Sequence, residues 1–127
     1  MPSLRLTSRA GLWLPPLVYM AVIFYLSSQS APLPAVTAVV WDKILHLFEY
    51  AGLAALLGRA LAGEGLGWPA GFFVAAFLAA AYGATDEYHQ LFVPLRSGEL
   101  RDWLVDVLGA CLGAAVVFAF KREASRP

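Results

Sequence analysis

Charge is scarce in this chain. Of its 127 residues only 14% are Asp, Glu, Lys or Arg, against about 25% in typical soluble domains, while 60% are hydrophobic. A water-soluble fold of this length has too little interior to hide so many apolar side chains, so the lipid bilayer is their natural solvent. No excess of either sign exists, since nine basic and nine acidic residues cancel. The basic patch that nucleic acid requires is therefore missing, and no nucleic-acid partner is expected. A lone cysteine, Cys111, excludes an internal disulfide; within an apolar run it reads as a small core residue and not a reactive thiol. Histidine occurs twice, as His46 and His89, and neither belongs to an H-E-x-x-H motif.

Long uncharged runs fill the space that charge leaves. The pattern predicts an all-α integral membrane four-helix bundle in one domain, residues 1–127, with spans at about 10–27, 43–61, 66–86 and 100–120. Arg5 and Arg9 precede the first span, and Pro15 and Pro16 fall near its expected start, where missing amide donors cost least. A cleaved signal peptide shares this basic-then-apolar pattern, but no clear small-x-small site precedes Pro32. Serines and the prolines Pro32 and Pro34 form the first loop. The third span is read as a helix from its length alone. Ser97 is the expected N-cap of the fourth, with Glu99 and Asp102 early in the helix, where the macrodipole favours negative charge.

Orientation follows from the basic residues. Arg5, Arg9, Arg59, Lys121, Arg122 and Arg126 fall on one side of such a bundle, and Lys43, Arg96 and Arg101 on the other. Both termini of a multi-pass membrane protein are accordingly expected in the cytoplasm. Trp13 and Trp68 then mark one interface and Trp41 and Trp103 the other. Most of the acids go to the outer side.

That side collects the unusual chemistry. In the second span Lys43, His46, Glu49 and Tyr50 share an arc of about 120°, and in the fourth Glu99, Asp102, Asp106, Gly109 and Gly113 share a stripe of about 80°. Gly109 and Gly113 form a G-x-x-x-G pair, read as close packing rather than as a dimer signal. With Asp86, Glu87, His89 and Gln90 at the end of the third span, and Arg96 in the following loop, Lys43, His46, Glu49, Tyr50, Asp102 and Asp106 make a candidate outward-facing polar pocket. Asp42, Glu87 and Arg101 also fit a bland reading as water-facing charges, whereas Glu49 and Asp106 lie deep enough to need a partner, a cavity or a proton. A structural network in which Lys43 and Arg96 neutralise the acids accounts for the deepest residues equally well. No cofactor is expected. His46, Asp86 and His89 are the candidates for a divalent cation, because Asp86 and His89 share a face at i and i+3. Catalytic residues remain unassigned, although a His beside a carboxylate can act as a general base.

The ordered series Ser27, Ser28, Gln29 and Ser30; Asp42, Lys43, His46 and Tyr50; Thr85, Asp86, Glu87, His89 and Gln90; Pro94 and Arg96; and Asp102, Asp106, Gly109 and Gly113 resembles the VanZ-like family of small bacterial membrane proteins. The resemblance covers nearly the whole chain from the first span onward. It implies a polytopic membrane protein with an envelope-related role, and no particular reaction. The family's namesake is associated with low-level resistance to the glycopeptide teicoplanin. Where Asp106 stands, many relatives are expected to carry Asn. Expected partners are the lipid bilayer and, in the pocket, a cell-wall precursor, a lipid headgroup or a glycopeptide. An intramembrane hydrolase or transferase acting on a lipid-like envelope substrate, with His46 or His89 as base, is the alternative.

Overall fold

The computed structural model describes residues 2–30, 39–96 and 98–127, with side chains from residue 9 in the first helix and from residue 42 in the second. Among these residues the chain forms four α-helices and no strand: α1 (Pro2–Ser27), α2 (Val39–Gly63), α3 (Ala70–Gln90) and α4 (Leu100–Ala124). The expected all-α class is what is found. α1, α2 and α4 are long and apolar enough to cross a bilayer. α3 falls short of that measure because it starts at Ala70 rather than near residue 66, and polar residues fill its last turn. The delay comes from a turn through Gly65, whose φ of 101° suits glycine alone. Pro32, Pro34, the Ser97 cap and the Trp41 side chain lie outside the described residues; α4 is preceded at its N-cap by Glu99.

Contacts at the two ends fix the alternating course of the helices. At one end Trp13 donates to Glu64 over 3.1 Å, and Lys121 donates to the Ala62 carbonyl over 2.9 Å. The start of α1, the end of α2 and the end of α4 therefore meet there. At the other end Lys43 and His46 of α2 meet Asp102 and Asp106 of α4. α2 and α4 thus run parallel, and the polar groups gather at the end away from the termini.

α1 departs from its expected start. It begins at Pro2, which puts Pro15 and Pro16 in the helix interior. An interior proline leaves the carbonyl four residues earlier without its helical donor. For Pro15 that carbonyl belongs to Gly11, and Arg59 donates to it over 3.1 Å, replacing the lost bond from the neighbouring helix.

The core is small-sided. Leu53, Ala54 and Leu57 of α2 meet Ala75, Ala76 and Ala79 of α3 and Ala110, Ala114 and Phe118 of α4. In lipid there is little hydrophobic drive between helices, so close van der Waals approach has to supply the cohesion. Gly109 and Gly113 provide it: a Cβ at Gly109 would run into the Leu47 carbonyl oxygen, and one at Gly113 into that of Ala51. The G-x-x-x-G pair therefore packs inside the chain. α1 lies outermost, against α2 and only slightly against α3.

Gly113→Ala should force α2 and α4 apart and lower stability in detergent or nanodiscs by about 1–3 kcal/mol. Gly11→Ala meets nothing within 4 Å and should be neutral or gain up to about 1 kcal/mol. Thermal or denaturant unfolding of the two variants checks the contrast.

Candidate functional site

Helical spacing turns Lys43, His46 and Tyr50 to the inside of α2 while Ile44, Leu45 and Phe48 stay exposed. On α4 the same periodicity buries Asp102 and Asp106 above Gly109 and Gly113. Because those glycines bring the two backbones together, the polar side chains at the next turns are close enough to pair. Lys43 forms an ion pair with Asp102. His46 Nδ1 lies 2.8 Å from Asp106 Oδ1 and 3.9 Å from Glu87 Oε1. Tyr50 donates to Asp86 Oδ2 over 3.1 Å, which ties α2 to α3 as well. Asp106 and Tyr50 are fully buried.

Beside this cluster is a cavity of about 360 Å³ between α1, α2 and the end of α3. Its polar lining is Ser27, Asp42, His46, Glu49, Asp86, Gln90 and Arg96, and its apolar lining includes Val22, Leu26, Leu45 and Phe48. Those four apolar side chains are also exposed on the outside of the bundle. The cavity is therefore polar toward the bundle and apolar toward the surface that faces lipid. Ser27 Oγ is buried within it and has no hydrogen-bond partner among the described residues. Tyr19 closes one wall by donating to the Glu49 carbonyl over 2.8 Å.

The sequence profile of the VanZ/LLP1 family matches residues 12–121. The chain belongs to the VanZ/LLP1 family. No curated protein and no solved structure matches it. The VanZ/LLP1 match covers every residue of the cluster and the cavity just described.

Several side chains of this VanZ/LLP1 chain stand elsewhere than their spacing suggested. Glu87, which fits a water-facing reading, is buried; its Oε2 accepts the Glu99 amide over 3.1 Å, and its other oxygen points at His46. Arg96 donates to the Gln29 carbonyl over 2.8 Å and the Leu26 carbonyl over 3.2 Å, rather than to a carboxylate. It thereby adds a second donor to the Leu26 carbonyl, which also accepts the Gln29 amide, and ties the chain after α3 to the end of α1. Leu95, just before Arg96, holds a left-handed φ of 63° at a cost of about 1–2 kcal/mol. His89 stands apart from His46 and Asp86: its ring stacks on Phe24 at 4.6 Å, and its Nδ1 is buried without a hydrogen bond. Gln90 is buried on the cavity wall, while Glu49 is half-buried there. The groups that do converge with metal-ligand spacing are His46, Glu87 and Asp106, and separately Asp42, His46 and Asp102. From sequence Glu87 fits both the pocket and a water-facing position, and its contacts with the Glu99 amide and His46 decide for the buried one.

Lys43→Met leaves Asp102 buried without its cation and should destabilise the protein by about 3 kcal/mol. Pairing it with Asp102→Leu should recover most of that loss. Unfolding of the single and double variants in micelles reads both.

Proposed function

We propose that this membrane protein receives the polar head of an amphiphilic envelope component in the cavity between α1, α2 and α3, with the apolar tail left in the bilayer. In this reading it lies in the bacterial cytoplasmic membrane with both termini inside and the polar end outward. The carrying observation is the two-sided lining of the 360 Å³ cavity, with His46, Asp86, Gln90 and Arg96 within and exposed Val22, Leu45 and Phe48 at the lipid-facing side. A binding pocket of this kind, mostly apolar with a few convergent polar groups, is of the size that small ligands use. Arg96 and His46 suit an anionic headgroup such as the phosphate of a lipid-linked cell-wall precursor or of a phospholipid. Asp86 and Glu49 suit its sugar hydroxyls or amines. Sequestering such a precursor would shield it from a glycopeptide in the medium, which connects the cavity to teicoplanin tolerance.

Protein in nanodiscs should retain a lipid-linked cell-wall precursor in native mass spectra in preference to phosphatidylglycerol. Val22→Trp, which fills the cavity mouth from an exposed position without removing a hydrogen bond, should reduce retention at least tenfold while the protein stays folded. Equal retention of every anionic lipid would assign the cavity to headgroups in general. Retention unaffected by Val22→Trp would remove the cavity from the account. Conversion of the retained lipid to a product of different mass would favour the hydrolase or transferase reading.

A further inference from the structure

Beside the cavity, and sharing only His46 with it, the bundle holds a buried cluster that adds Glu87 and Asp106, neither of which lines the cavity. We propose that His46, Glu87 and Asp106 form a binding site for one divalent transition-metal ion of the Zn²⁺ class, held between α2, α3 and α4. The inference does not depend on what occupies the cavity.

The three residues offer ligand atoms that all lie within 4.8 Å of one another. His46 Nδ1 is 2.8 Å from Asp106 Oδ1 and 3.9 Å from Glu87 Oε1. Donors about 2.1 Å from a tetrahedral ion lie about 3.4 Å apart, so these separations bracket what an ion at their centre requires. One imidazole with two carboxylates is a donor set suited to Zn²⁺ and its neighbours rather than to Ca²⁺ or Mg²⁺, which favour all-oxygen shells.

A second observation points to the same place. Glu87 Oε1 and Asp106 Oδ2 are both buried and have no hydrogen-bond partner among the described residues, although Asp106 is fully enclosed and Glu87 is only 7% exposed. A buried carboxylate oxygen without a donor is costly unless a cation satisfies it. Glu87 is also oriented from behind, because its other oxygen accepts the Glu99 amide. Such an outer bond is the usual means of aiming a ligand at a metal. Gly83 keeps the space beside Asp106 Oδ2 open, since a Cβ there would come within 3.1 Å of that oxygen. The neighbouring trio of Asp42, His46 and Asp102 is the weaker claimant, because Lys43 already supplies a cation to Asp102.

The test uses the full chain without a polyhistidine tag, purified in detergent, stripped with a chelator and titrated with Co²⁺ as an absorbing probe. Wild type is expected to take up one equivalent, with visible absorption that excess Zn²⁺ abolishes. Glu87→Gln should weaken uptake about tenfold or more, while Asp42→Asn should bind as wild type does. Circular dichroism verifies that each variant is helical, and Asp106→Leu replaces Glu87→Gln should the latter fail that check. Wild type that shows no Co²⁺ absorption overturns the proposal. So does a folded Glu87→Gln that binds with unchanged affinity, or an Asp42→Asn that abolishes binding.

Discussion

The contact between His46 and Asp106 is the point at which the two demands on this chain meet. Asp106 is wholly enclosed in an apolar helix, where neither water nor lipid can solvate a carboxyl group. An imidazole nitrogen at 2.8 Å supplies the missing partner, and it comes from a different helix. A polar group that would be an expense on an isolated helix thereby becomes a link between two of them. In a medium as apolar as the side chains themselves, links of this kind and close packing are the main sources of cohesion.

The same logic is repeated up and down the bundle. Below the contact, Gly109 and Gly113 lay α4 directly on the α2 backbone. Above it, Lys43 and Asp102 pair at the bundle's end, and Tyr50 carries the connection across to Asp86 on α3. α2, α3 and α4 are consequently bound by both packing and polarity. α1 is held by other bonds: Trp13 and Arg9 on Glu64 at one end, and Tyr19 on the Glu49 carbonyl, Tyr82 on the Met20 carbonyl and Arg96 on the Leu26 carbonyl toward the other. The cavity lies where this looser helix meets the tighter trio, so the space for a ligand follows from the way the charges are distributed among the helices.

Periodicity made much of this legible. Lys43, His46 and Tyr50 recur at helical spacing on one face, and Asp102, Asp106, Gly109 and Gly113 do so on another, so the sequence alone determines which sides of α2 and α4 must meet. What periodicity does not carry is the partner of a residue across the bundle. Glu87 differs from a solvated charge only through His46 and the Glu99 amide, which are 41 and 12 positions away. Arg96 lies among acids in sequence, yet its guanidinium donates to the Leu26 and Gln29 carbonyls at the end of α1. His89 follows Asp86 by one helical turn, but the Phe24 ring of α1 determines where its imidazole rests. Pro15 likewise reads as a helix start until Arg59 is seen to replace the bond it removes.

The central claim is that His46 and Asp106 act as one unit joining α2 to α4. A double-mutant cycle in lipid nanodiscs, comparing the unfolding of wild type, His46→Phe, Asp106→Leu and the double variant, tests it most directly. The account expects the double variant to be less destabilised than the sum of the two single variants, with a coupling energy of about 1–3 kcal/mol. Effects that add to within about 0.5 kcal/mol would contradict it.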